Sequence, residues 1–162
     1  EVIGTFAMSE GPTAASPRTV QTSLADGKLN GVKIPVPDGD IADFAVVLVN
    51  TGGKGDRALS LALVDLKGAG VTREAIKTID PTRSHATITF KDAPAELMGT
   101  EGEGWSYTGT VFDSAAVLMA FEQVGGAETA MWMARDYALE RYAFGRLIGS
   151  YQASNTRSPI CM

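Results

Sequence analysis

The chain has 162 residues, 44% of them hydrophobic and 20% charged, which is enough for one domain with an appended element but not for two full domains. Nineteen acidic against fourteen basic residues give a formal net charge of −5, which offers no basic excess for phosphate neutralisation, so nucleic acid is not the expected partner. No segment approaches the roughly 18 unbroken apolar residues of a membrane span, and one cysteine, Cys161, with one histidine, His85, excludes an internal disulfide and the common zinc sites.

A lone cysteine fits a reducing, cytoplasmic setting. No basic, apolar leader is read at the start, and Glu1 in place of a methionine points to a missing natural start. From about Gly4 to Pro94, short apolar or alternating runs are broken by turn residues, the pattern of an all-β segment. The clearest hairpin runs from Thr19 to Ala25, turns at Asp26-Gly27 and returns from Lys28, because Asp-Gly readily takes the positive φ angles of a two-residue turn. Asn30-Gly31 gives a second turn signal. Further strands are predicted at Phe44 to Val49, at Leu59 to Val64 with Leu59, Leu61 and Leu63 on one face, and at Ala86 to Phe90 with Ile88 inward. Strands at this spacing suggest a barrel or sandwich.

After Glu101-Gly102-Glu103-Gly104 the composition changes. From Trp105 to Arg141 there is no proline, and Ala, Met, Leu and Glu become frequent, which favours helix. Phe112, Ala116, Met119, Gln123, Ala127, Ala130, Ala134, Tyr137 and Arg141 recur at three-or-four spacing, and about 35 residues would span roughly 50 Å. Such a helix is too long for a barrel of this size. The small and flexible residues around Val124-Gly125-Gly126-Ala127 predict close packing against helices from outside this chain.

The stretch Tyr137-Ala-Leu-Glu-Arg141-Tyr-Ala-Phe144-Gly145-Arg-Leu-Ile148-Gly-Ser-Tyr151-Gln152 resembles the acyl-CoA dehydrogenase segment Y-A-x-x-R-x-x-F-G-x-x-I-x-x-x-Q. Three more stretches follow the family's order: Phe6-Ala-Met-Ser9-Glu10 for its T-E-P motif, Asn30-Gly31-Val-Lys33 with Pro37-Asp38-Gly39 and Ala42-Asp43, and Gly99-Thr-Glu-Gly102-Glu-Gly104-Trp105. The resemblance covers residues 4 to 153. It implies an α+β chain: an antiparallel middle β-barrel domain over 1–102, the start of a C-terminal helical domain over 103–153, and a tail over 154–162 that resembles nothing in the family.

The resemblance also implies FAD held between barrel and helices across a subunit interface, an acyl-CoA substrate, an electron-transfer acceptor and a homo- or hetero-oligomer. Ser9 stands for the threonine whose backbone and hydroxyl approach the flavin, with an ordinary strand serine as the alternative. Arg141, Phe144 and Gln152 belong to the segment that reaches the adenosine-pyrophosphate half of FAD on a neighbouring subunit. For Arg141 and Gly145 a helix C-terminus is the simpler alternative. Asp113 matches a residue at the CoA end.

Several positions depart from the family. Ala15 replaces a serine near the acyl thioester, Pro35 an aromatic residue over the flavin face, Pro37 a threonine near its reactive nitrogen, and Ala116 an arginine. Family chemistry removes the α-proton with a glutamate while the β-hydrogen leaves as hydride. No catalytic residue is assigned here: that glutamate lies beyond this chain in most members and matches Ala115 in a subset. Glu122 and Glu128 read as solvated or interfacial carboxylates, His85 as a strand histidine, and Met119, Met131 and Met133 as packing residues. The leading expectation is an inactive fragment of an FAD-dependent acyl-CoA dehydrogenase of fatty acid metabolism. The alternatives are a non-catalytic or degenerate subunit and a flavin oxidase or monooxygenase of the same fold.

Overall fold

The computed structural model describes residues 2–80 and 82–151. By internal contacts the chain forms two compact units, residues 1–111 and 112–162. Seven strands make the sheet of the first: β1 (Gly4–Ala7), β2 (Ser23–Ala25), β3 (Lys28–Pro37), β4 (Phe44–Asn50), β5 (Leu59–Asp65), β6 (Val71–Ile76) and β7 (His85–Met98). Five of them close a ring in the order β4-β2-β3-β7-β5, with β5 returning to β4, while β1 adds to β4 and β6 to β7. Most pairs are antiparallel. The exceptions are β1 on β4 and the single Ser23–Asn50 pair that closes β2 on β4, so the expected antiparallel barrel is closed through a parallel link.

The Asp26-Gly27 turn forms as its chemistry predicts, with φ of 50° and 71°, and brings Ser23 opposite Asn30. Residues 19–22 precede the strand rather than joining it, and Thr19 N–H instead turns back on Ser16 O at 3.0 Å. On β5 the expected alternation holds, with Leu59, Leu61 and Leu63 on one face and the barrel interior on the other. Ala62 and Val64 fill the barrel together with Leu29, Val47, Ile88 and Phe90. Leu59 and Leu61 are buried on the other face, in a second cluster with Val20 and Leu48 against which Trp105 packs, and Leu63 on that face stays 38% exposed. Full burial of each large aliphatic or aromatic side chain contributes about 1.5–3 kcal/mol.

Helix α1 (Gly104–Glu140) has 37 residues, about 55 Å at 1.5 Å per residue. Its first turn is anchored: Gly104 and Thr108 are buried, and the Thr108 hydroxyl donates to Gly104 O at 2.7 Å. Beyond Val111 the expected apolar face is not the only apolar one. Val117, Leu118, Met119, Phe121, Val124 and Trp132 point in different directions around the axis and are each 47% or more exposed. Exposed charged residues, among them Asp113, Glu122, Glu128 and Asp136, stand between these apolar ones. Among the described residues no helix is long and apolar enough to cross a membrane.

Candidate functional site

Three groups of side chains carry chemistry: one at the barrel mouth, one on α1 and one after its end. At the mouth, the segment after β1 lies beside β3. Ile34 N–H donates to Ser9 O at 2.8 Å and Gly11 N–H to Ile34 O at 2.9 Å. This pairing uses the Ser9 backbone carbonyl, whereas its partly exposed hydroxyl has no hydrogen-bond partner among the described residues.

The next residue is the electrostatic centre of the region. Lys33 is fully buried, and its ammonium donates to Glu10 Oε1 at 2.8 Å and to Met8 O at 3.0 Å. Glu10 also accepts from Gln21 N–H at 2.7 Å and Thr22 N–H at 3.0 Å. Burial would push the Glu10 carboxyl up, but the Lys33 ammonium, nearby Thr22 and the two backbone N–H groups outweigh it and hold the group below its ordinary range. Burial lowers Lys33, and the facing carboxylate offsets only part of that. The buried Thr22 hydroxyl has no hydrogen-bond partner among the described residues, so it acts on the carboxylate as a nearby dipole and not as a donor.

A cavity of about 280 Å³ opens next to this pair, lined by Met8, Glu10, Ala15, Val20 and Gln21 among others. Thr13 and Thr19 also line it, and Glu10 is its one charged lining residue. Pro35, one strand residue beyond Ile34, is exposed and offers neither an aromatic face nor an N–H. The Glu10–Lys33 pair was not singled out from sequence, although a signal exists. Leu29, Gly31 and Lys33 alternate on the face that β3 turns inward, so a lysine stands where an apolar residue belongs and needs a buried partner.

On α1, Asp113, Glu122 and Glu128 are exposed and Ala115 is partly buried. After the helix, Tyr142–Ala143 (β8) and Arg146–Leu147 (β9) pair as a short antiparallel hairpin. Its two-residue tip is Phe144-Gly145, with φ of 53° and 83°. Gly145 therefore makes a hairpin turn and does not stop the helix, which ends at Glu140. Arg141 N–H still donates to Tyr137 O at 2.9 Å, while Arg141 O accepts from Ile148 N–H at 2.9 Å. Arg146 stacks over the Tyr151 ring at 3.8 Å, and the Tyr151 hydroxyl donates to Ala143 O at 2.8 Å. Phe144 is left 98% exposed at the tip, and Arg141 at the hairpin's base is exposed too. Gln152, the predicted tail 154–162 and Cys161 lie outside the described residues. His85 is partly buried on β7, and its Nδ1 has no partner among the described residues.

Residues 102–158 match the family described as acyl-CoA dehydrogenase, C-terminal domain. The chain is 33% identical over 146 residues to the acyl-CoA dehydrogenase apdG of Emericella nidulans, covering 85% of this chain and 33% of that one. It is 34% identical over 140 residues to the acyl-CoA dehydrogenase IpdE2 of Mycobacterium tuberculosis, covering 84% and 37%. The crystal structure of an acyl-CoA dehydrogenase from Geobacillus kaustophilus superposes with a TM-score of 0.87 at 24% identity over 96% of this chain and 44% of that one, a likeness of fold. The chain thus spans about a third of the length of these two curated relatives.

Proposed function

Since the chain belongs to the acyl-CoA dehydrogenase family and covers only part of the full enzyme, we propose that it forms the middle barrel and opening C-terminal helix of a dehydrogenase converting an acyl-CoA thioester to its 2-enoyl form. The observation that carries this reading is the closed barrel followed in sequence by a helix with large apolar side chains exposed on several faces. A free-standing binding module has no use for such a helix, whereas an enzyme built of barrel and helical bundle does.

The family is FAD-dependent, and bound FAD would supply the two-electron acceptor for the hydride leaving the β-carbon. The available donor groups fit that cofactor. Ser9 offers an unengaged hydroxyl at the barrel mouth, and the exposed Arg141 guanidinium offers a planar fork suited to a pyrophosphate. The exposed Phe144 ring offers apolar cover, and Gln152 is proposed to act with them. Asp113 is proposed to face the CoA adenine. Because Ala115 stands where some relatives carry the proton-abstracting glutamate, the proposal assigns that step to a carboxylate this chain does not supply. Its own residues bind, orient and exclude water. Assembly as a homo- or hetero-oligomer, a cytoplasmic location and transfer to an electron-transfer acceptor belong to the same proposal.

A second reading, a degenerate subunit retained for assembly, is favoured by alanine at 15, 115 and 116 together with the exposed Pro35. The two separate on the complete gene product containing this chain, purified with FAD and mixed with acyl-CoA thioesters of several lengths and a dye acceptor. Dye reduction with formation of the 2-enoyl thioester is expected. A flavin-loaded product that reduces no dye with any thioester would favour the degenerate subunit.

A further inference from the structure

The Glu10 carboxylate is where three stretches of backbone meet. Its Oε1 accepts from Lys33 Nζ and Thr22 N–H, its Oε2 accepts from Gln21 N–H, and the same ammonium reaches Met8 O. Lys33 is buried on β3, so residues on both sides of the cavity segment are tied to one strand. Between those ties residues 12–20 are held by a local turn of their own, in which Ser16 and Thr19 exchange hydrogen bonds. None of these hydrogen bonds involves a residue of β4 or β5.

We propose that the Glu10–Lys33 pair is a positioning latch that holds segment 8–22 against β3 and so fixes the shape of the cavity beside Ala15. This rests on the reading above only in assigning that cavity to the acyl end of the site. The pair acts through the segment it holds, so its loss opens the cavity wall while leaving the β4–β5 ladder closed.

Glu10→Gln tests this at nearly constant volume. Donors reach both carboxylate oxygens, and an amide offers one oxygen and turns two N–H groups toward the remaining donor. Trp105 packs against the cluster that includes Val20, with Met8 and Ala15 beside it, and in a Trp132→Phe background it is the sole tryptophan. In that background Glu10→Gln should shift Trp105 emission to the red and speed amide exchange at Gln21 and Thr22 at least tenfold. Ladder amides should change less than twofold. Equal acceleration at all amides, or none at Gln21 and Thr22, would overturn the latch. If Glu10→Gln does not fold, Glu10→Leu with Lys33→Met removes donors and acceptors together. Local opening in that pair supports the proposal, whereas retained protection at 21–22 or failure of this pair to fold overturns it. The measurement uses neither flavin nor acyl-CoA, so its outcome is independent of whether the enzyme reading survives.

Discussion

At the scale of single residues, the Glu10–Lys33 pair contributes to the acid limb of stability. The folded Glu10 carboxyl lies below its ordinary value of 4.5 because burial, which raises it, is outweighed by Lys33 and the Gln21 and Thr22 donors. A carboxyl depressed on folding contributes stability that is fully present above its unfolded value and is lost as the pH falls through the folded one. Asp43 and Asp80 are depressed too, by Lys67 and Thr82 respectively before other causes, but both are solvated and their share is screened. Urea unfolding between pH 6 and pH 3 should therefore show a falling free energy, with a shallower fall in Glu10→Gln. Parallel profiles for the two proteins would contradict the assignment. Gly31 is the second sensitive position. At φ of 144° an added Cβ would lie 2.6 Å from Thr22 Oγ1 and 2.7 Å from Thr22 Cα, so Gly31→Ala strains the backbone and pushes apart two packed segments. A loss of about 1–3 kcal/mol is expected from the backbone alone, read as a lower urea midpoint at unchanged slope. A midpoint within error of the parent would show that the segments can separate freely.

Elements differ in how far the sequence announced them. The β2–β3 hairpin was legible because Asp26-Gly27 satisfies a requirement local to two residues. Helix α1 was legible over nearly its full length, since a proline-free run of 37 residues rich in Ala, Met, Leu and Glu favours helix and is far longer than a strand. The edge strand β6 was missed because Val71-Thr-Arg-Glu-Ala-Ile is half polar, and its alternation has meaning only once β7 lies beside it. The single Ser23–Asn50 pair that closes β2 on β4, and the choice of which β5 face lines the barrel, depend on partners far along the chain, which no local window contains. Lys33 was a readable anomaly, but its partner lies 23 residues earlier on an irregular segment. The Phe144-Gly145 turn was read as a possible helix stop because a phenylalanine at positive φ is unusual. For α1 the structure makes a separate prediction. Phe121 is 74% exposed, so Phe121→Gln should change the unfolding free energy of this chain by less than about 0.5 kcal/mol while reducing any concentration-dependent association seen by light scattering. A loss near 3 kcal/mol, typical of a buried phenylalanine, would mean that this helix face is covered within the chain.

At the scale of the whole molecule the question is whether these parts amount to a flavin site, and the prediction is that the isolated chain does not retain FAD. Tight small-molecule sites bury about 70–90% of the ligand, and pockets for drug-sized molecules run from about 300 to 1,000 Å³. The cavity beside Glu10, at about 280 Å³, lies just under that range, and FAD is larger than most such molecules. The groups assigned to its far half, Arg141 and Phe144, stand exposed on a short hairpin, which suits contact with a neighbouring subunit better than closure of a pocket within one chain. Pro35 removes a ring whose stacking is worth about 0.5–1.5 kcal/mol beyond its area. A dissociation constant of 1 μM requires about 8.2 kcal/mol, and a ligand wet on most sides, without that ring, falls short of it. The purified chain should be colourless, and titration with FAD followed by flavin fluorescence should show half-saturation well above micromolar. A yellow protein with stoichiometric flavin, or half-saturation below 1 μM, would mean that the chain encloses the cofactor unaided and that its exposed helix and hairpin serve some purpose other than assembly around it.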